Sequence, residues 1–203
     1  MSSSTSSESK PAGADPSRYR GVRVALVILA LCAMPFITAW FGYYAGPRPP
    51  QSNYGDLIEA HPLADPVLQD LDGKPFRLSQ LRGKWVLVQL DSSGCGAQCR
   101  KKLLYMQQLR LSQGKDSERI ERVWLLTDSG APDGALLHEY DGTHVAHADV
   151  GGLPAQFPAA HSPADHIYIV DPLGNLILRF PAEPEPRGMV KDMARLLRVS
   201  RIG

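Results

Sequence analysis

An uncharged apolar run near the N-terminus sets the strongest constraint on how this chain folds. Val24 to Gly42 reads VALVILALCAMPFITAWFG and contains no charged side chain. As a helix, a run of this length crosses the roughly 30 Å hydrocarbon core of a bilayer. Pro35 is tolerated inside a membrane helix, and Trp40 occupies the position of an interfacial aromatic belt. We therefore predict one transmembrane helix over residues 22–45.

The charges beside this run predict its orientation. Arg18, Arg20 and Arg23 crowd its N-terminal end, so by the positive-inside rule the N-terminus stays in the cytoplasm. The expected location is a single-pass anchor in the inner, cytoplasmic membrane, with the following domain in the periplasm. A cleaved signal peptide is the alternative, but the run exceeds a usual h-region and lacks a clear small-x-small cleavage site.

Composition divides the rest of the chain. The 203 residues are 43% hydrophobic and 21% charged, which suits one globular domain plus an accessory segment. We expect a disordered Ser-rich cytoplasmic tail over 1–21, a proline-containing linker over 46–54 and a domain over 55–203. The first 23 residues carry four basic and two acidic side chains, so the remainder has a net charge near −1. This excludes a broad basic field, and we expect neither a nucleic-acid partner nor a nucleotide cofactor.

The pattern of apolar runs predicts an α/β domain. Short buried strands alternate with amphipathic helices, and Asp72-Gly73 and Asp171-Pro172-Leu173-Gly174 are turn signals. The predicted elements are a hairpin (67–71 and 75–78), a central strand (85–90), a helix (95–111), a strand (123–127), a short helix (135–140), an edge strand (144–149), a second hairpin (166–170 and 175–180) and a terminal helix (189–199).

Two of the three cysteines are candidates for chemistry. Cys95 and Cys99 follow the predicted central strand at the start of a helix, where the helix dipole and free N–H groups favour thiolate. At i and i+4 both sulfurs can meet one ligand or, with modest backbone adjustment, each other. Arg100, Lys101 and Lys102 either add positive potential or form a solvated helix face. Cys32, inside the apolar run, is interpreted as a small hydrophobic residue.

Two thiolates and one imidazole suit cuprous or cupric copper, whereas a structural zinc site usually has a fourth ligand. The candidate third ligand is His166, directly before the strand IYIV, with His161 in the same loop as the reserve. The other histidines are interpreted as surface or structural residues: His61, His138, His144 and His147.

Three segments carry a family resemblance. They are DLDGKPFRLSQLRGKWVLVQL, the motif Cys95-Gly96-Ala97-Gln98-Cys99, and DHIYIVDPLGNLILRF. Together they make residues 63–180 similar to the Sco/SenC family, which are copper-binding proteins with a thioredoxin-like fold and one membrane helix. The resemblance implies a copper chaperone or thiol reductant that assists assembly of the CuA centre of cytochrome c oxidase. It also implies that Cys95 and Cys99 bind copper with one histidine and take part in thiol exchange.

Two other functions fit the same residues. One is a membrane-anchored thiol-disulfide oxidoreductase of the TlpA or ResA kind, which would act on exported cysteines, although those proteins have two residues between their cysteines. The other is a peroxiredoxin-like interaction protein in which the pair forms a structural disulfide. The expected partner of the chain is a subunit of cytochrome c oxidase or another exported protein that receives copper or bears thiols.

Overall fold

The computed structural model describes residues 16–45, 53–148 and 152–200, which fall in two compact units, 1–50 and 51–203. The described part of the first unit is one helix, α1 (Pro16–Ala45). Its segment Arg23–Gly42, with a mean hydropathy of 2.4, is long and apolar enough to cross a membrane. Residues 16–21, predicted to belong to a disordered tail, are helical here, whereas 1–15 and most of the predicted linker lie outside the described residues.

The second unit contains an eight-stranded mixed sheet with the order β1-β8-β7-β4-β5-β6-β2-β3. The strands are β1 (Asp56–Pro62), β2 (Leu68–Asp70), β3 (Pro75–Phe76), β4 (Trp85–Asp91), β5 (Ile120–Leu126), β6 (Thr143–His147), β7 (Ile167–Val170) and β8 (Asn175–Arg179). The helices are α2 (Ala97–Ser112), α3 (Gly134–Glu139) and α4 (Pro186–Val199).

Two parallel crossovers and an antiparallel pair build the centre of this sheet. β4 pairs in parallel with β5 and β5 with β6, the connections containing α2 and α3. On its other side β4 pairs antiparallel with β7, which forms a hairpin with β8. The predicted α/β class, with a central mixed sheet and flanking helices, is confirmed.

β4 is buried on both faces, which explains its nearly continuous apolar sequence. Val86, Val88 and Leu90 belong to one core cluster, and Trp85 and Leu87 to the cluster on the opposite face. The second cluster contains residues of α2 and α4, among them Met106 and Met193. Since alternate residues of a strand share a face, Gln89 lies on the α2 side with Trp85 and Leu87.

Three expectations need correction. β1 was not predicted, because its seven residues are mostly exposed at the sheet edge, paired with β8. The predicted edge strand over 144–149 is instead β6, which lies between β5 and β2; residue 149 is outside the described residues. α2 begins at Ala97 rather than Cys95, because Gly96 is its extended N-cap residue.

Candidate functional site

The structure brings the two predicted cysteines together where β4 passes into α2. Cys95 and Cys99 form a disulfide with Cα atoms 5.1 Å apart. Each residue is only 2% exposed. The pair belongs to a core cluster with Leu103, Trp124 and Leu136. In the oxidised form the sulfurs are therefore covered by apolar side chains.

Cys95 has an unusual backbone conformation. Its φ is +32°, and among the described residues it is the only one other than glycine with positive φ. Left-handed backbone costs an L-residue roughly 1–2 kcal/mol. The Cys95 N–H donates to the Ser92 carbonyl (3.2 Å), and the Arg100 Nε donates to the Cys95 carbonyl (3.4 Å). These contacts stabilise a turn that presents Cys95 ahead of the helix.

A second set of contacts ties this turn to the end of β5. The Ser93 N–H donates to both carboxylate oxygens of Asp128 (3.0 and 3.1 Å), and the Ser93 hydroxyl donates to Oδ2 (3.1 Å). The backbone N–H of Ser93 is the main reason that the pKa of Asp128 lies below its ordinary value. Gly130 approaches so closely that a Cβ there would lie 2.1 Å from the Ser93 Oγ. We call the Ser93–Asp128 contacts the loop clamp.

Gln89 lies beneath the disulfide. It is fully buried, and its Nε2 lies 3.2 Å from the Cys99 Sγ, to which it donates. Its Oε1 has no hydrogen-bond partner among the described residues. A buried polar atom without such a partner is uncommon in folded proteins and needs an explanation.

Lys102 is also buried, which contradicts one of the two alternatives given for it, a solvated helix face. It is 4% exposed, and its ammonium bonds the Asp91 Oδ2 (2.8 Å) and the Ala164 carbonyl. This ion pair joins α2 to the end of β4 and to the segment before β7. The ammonium charge is therefore neutralised locally by the Asp91 carboxylate.

Lys101 is paired at the surface. Its Nζ lies 2.5 Å from the Glu183 Oε2, and the Gln98 Nε2 donates to the Glu183 Oε1 (2.8 Å). The hydrogen bond from Lys101 lowers the pKa of Glu183 and raises the pKa of Lys101. Two of the three basic side chains expected to favour thiolate are thus matched by carboxylates. Arg100, which is exposed, remains beside Cys95.

The candidate histidines have other neighbours. The His166 Nδ1 lies 2.8 Å from the Phe180 carbonyl and its ring packs edge-on against Tyr168, while His161 is exposed. Among the described residues, no group of three or more His, Cys, Asp and Glu side chains is placed to hold a metal ion. Soft cysteine sulfurs suit copper, but this disulfide-bonded arrangement offers no three-ligand set. The assignment of His166, with His161 in reserve, stays a prediction.

A cleft of about 360 Å³ opens next to the disulfide cluster. Leu103, Trp124, Leu136 and Tyr140 belong both to its walls and to the cluster that covers the cysteines. Burial is the main cause that raises the pKa of Tyr140. The cleft therefore leads to the side chains that cover the sulfurs, and not directly to the sulfurs.

A family model described as "transmembrane-like, thioredoxin-like, C-terminal domain" matches residues 85–200. A search of curated protein sequences finds no match. The model matches more than half of the chain and spans β4, both cysteines and the terminal helix.

Solved structures are similar to this chain over 66–70% of its length. Bradyrhizobium japonicum ScoI with copper bound is 17% identical, with a TM-score of 0.52, and the match covers 66% of this chain and 99% of that one. Yeast Sco1 with copper bound is 16% identical, with a TM-score of 0.57 and coverage of 70% and 96%. The thioredoxin domain of a Bacteroides vulgatus thiol-disulfide oxidoreductase is 20% identical, with a TM-score of 0.53 and coverage of 70% and 99%.

These comparisons show that the fold is thioredoxin-like, as predicted. They also confirm the resemblance to Sco proteins at the level of the fold, since Sco proteins are among the structural neighbours. Proteins described as thiol-disulfide oxidoreductases share the same fold, so the fold by itself does not separate copper binding from thiol exchange.

Proposed function

We propose that this chain, which belongs to the transmembrane-like, thioredoxin-like, C-terminal domain family, is a membrane-anchored thiol–disulfide exchange protein whose reactive group is the Cys95–Cys99 pair. The observation that carries the proposal is the disulfide itself, formed between a strained turn residue and the first turn of α2, directly after the central strand. In this position the free N–H groups of the helix stabilise thiolate.

The exchange conserves electrons between two cysteine pairs. When the Cys95–Cys99 dithiol reduces a disulfide on a partner protein, its two sulfurs lose two electrons and form their own disulfide, while the partner gains two thiols. The opposite direction oxidises a partner dithiol. The direction depends on the reduction potentials of the two pairs.

The proposed setting follows from α1. Its length and hydropathy suit a single-pass anchor, and the arginines at its N-terminal end favour a cytoplasmic N-terminus with the exchange domain in the periplasm. Disulfides form and persist in that compartment. By analogy with Sco proteins, the proposed partner is a subunit of cytochrome c oxidase or another exported protein that bears thiols.

The test is thiol exchange by the full-length protein in detergent. A Cys32→Ser background leaves only the proposed pair, and Cys95→Ser and Cys99→Ser serve as variants. We expect the reduced protein to reduce a peptide that contains one disulfide faster than free dithiothreitol at equal thiol concentration. Either cysteine substitution should abolish turnover.

A pair that resists exchange would contradict the proposal. A reduction potential far below that of the periplasm, with sulfurs that stay closed to reagents, would instead support the structural disulfide of an interaction protein.

Copper binding is a second candidate function. It is favoured by the two soft sulfur donors in one five-residue motif and by neighbours crystallised with copper. The proposed ligands are Cys95, Cys99 and His166, with His161 in reserve, and they require the reduced form of the pair. An anaerobic titration of the reduced protein with Cu(I) tests this candidate.

One tight equivalent, lost with either cysteine and with His166→Ala or His161→Ala, would support a metallochaperone and identify the third ligand. Absence of tight binding, with exchange intact, would leave a thiol-disulfide oxidoreductase of the TlpA or ResA kind.

A further inference from the structure

We infer that Gln89 is a positioning residue that stabilises the thiolate of Cys99 during exchange, an inference that rests on the proposed function and deepens it. The Gln89 side chain is fully buried on the α2 side of the central strand, and its Nε2 lies 3.2 Å from the Cys99 Sγ. A strand whose other buried residues are apolar thus places a hydrogen-bond donor directly against one of the two sulfurs.

The orientation of the amide follows from electrostatics. The reverse orientation would aim the lone pairs of the Oε1 at those of the sulfur, and repulsion would increase as the sulfur became negative. With the Nε2 facing Cys99, the Oε1 has no hydrogen-bond partner among the described residues. The buried amide therefore lacks one hydrogen bond while it donates its N–H to sulfur. This arrangement is unfavourable for the stability of the fold, so we expect the contact with sulfur to serve the reaction instead.

The contact acts on one step of the reaction. When a thiolate of a partner protein attacks the Cys95 Sγ, a mixed disulfide forms between the partner and Cys95. The Cys95–Cys99 bond breaks, and its electron pair stays on the Cys99 Sγ. The negative charge then develops at a residue only 2% exposed, where water cannot solvate it well. A donor already in place lowers the cost of this charge.

The two sulfurs therefore differ. Cys95 bonds through its backbone to Ser92 and Arg100, and no hydrogen bond to its sulfur is seen among the described residues. Cys99 has the amide donor and lies in the first turn of α2. A lower pKa of the leaving thiol speeds exchange. Gln89 thus makes Cys99 the better leaving group.

The test measures the pKa of Cys99 by thiolate absorbance near 240 nm, which does not require reagent access. Full-length protein carrying Cys32→Ser and Cys95→Ser has one thiol, and the same protein with Cys99→Ser is the blank. Gln89→Leu removes the donor at similar volume. Because hydrogen bonds to charged groups are the strong ones, we expect the pKa to rise by about one unit, which is about a tenfold smaller thiolate fraction.

A matched control is Gln108→Leu, the same substitution on the exposed face of α2. It should leave the pKa of Cys99 unchanged. If the Gln89→Leu protein does not fold, Gln89→Met, which keeps an unbranched chain of similar length, decides the question. A pKa of Cys99 that stays the same in the folded Gln89 variant would overturn the inference.

A second measurement separates this inference from the proposed function. With both cysteines present, Gln89→Leu should slow reduction of the disulfide by dithiothreitol several-fold. Exchange that proceeds at an unchanged rate in Gln89→Leu would refute the role of Gln89 and leave the proposed function standing. Failure of the wild-type pair to exchange with any disulfide peptide would refute the proposed function, whereas the pKa measurement would still report on Gln89.

Discussion

Lys102→Met tests how much the buried ion pair stabilises the domain. The Lys102 side chain is 5% exposed and the Asp91 side chain 19%, and their charged atoms are 2.8 Å apart. Methionine keeps the length of the aliphatic chain but leaves the Asp91 carboxylate without its cation and the Ala164 carbonyl without its donor. Removing one partner from a buried pair costs about 3–5 kcal/mol.

The expected loss is somewhat smaller, because water reaches the partly exposed Asp91. We expect the free energy of unfolding to fall by about 2–4 kcal/mol. With an m-value near 2 kcal/mol/M, the urea midpoint would fall by about 1–2 M. Full-length protein in mild detergent is unfolded in urea and followed by the fluorescence of Trp85 and Trp124, both buried in the domain. A Trp40→Phe background removes the third tryptophan.

Two comparisons make the result specific. Lys101→Met removes an ion pair that is largely exposed, and it should hardly move the midpoint. Adding Asp91→Asn to Lys102→Met should cost much less than the sum of the two single changes, because the second removes the charge that the first left unpaired. A Lys102→Met protein within about 0.5 kcal/mol of the parent protein would refute the argument, since that is the range of ordinary surface substitutions.

The loop clamp supplies two further predictions. Asp128→Asn should speed reduction of the disulfide by dithiothreitol near neutral pH, because the carboxylate that holds Ser93 is gone. Because the fold lowers the pKa of Asp128, the stabilisation that its carboxylate gives is present above the unfolded pKa near 3.9 and is lost as the pH falls through the lower folded pKa. The parent protein and Asp128→Asn should therefore become alike at that low pH. Equal reduction rates of the two proteins at pH 7 would contradict the role of the loop clamp. Gly130→Ala should also disturb the loop and speed reduction of the disulfide, since its Cβ would meet the Ser93 Oγ. The control Gly134→Ala, with open space around its Cβ, should leave the rate of reduction unchanged. Similar rates in the two alanine variants would count against the loop clamp.

The sequence predicted the fold wherever a pattern was strong and local. β4, β5 and β7 contain short apolar runs buried on both faces, so their existence and type followed from hydrophobicity alone. β1 was missed because DLIEAHP has neither an apolar run nor a buried face. It becomes a strand through its pairing with β8, more than 100 residues later in the chain, and no local pattern reports such a partner.

The site was predictable only in its cysteines. Their spacing and their place after a strand were enough to bring them together. One signal for Gln89 was present, namely a polar residue inside the apolar strand WVLVQL, because such a residue is seldom buried without a function or a partner. The pairing of Lys102 with Asp91 and of Ser93 with Asp128 depends on how the ends of separate strands meet in space, and residue order does not specify this.

The two sulfurs are equally buried but are held by different parts of the fold. Cys99 lies in α2 and contacts Gln89 of β4, so exposing it would require separating the helix from the central strand. Cys95 lies in the turn before α2, and the loop clamp holds that turn to the end of β5. Opening the turn should therefore expose Cys95 without separating α2 from β4. The rate at which a partner reaches the disulfide should then depend on the clamp, and the stability of the charge left behind should depend on Gln89.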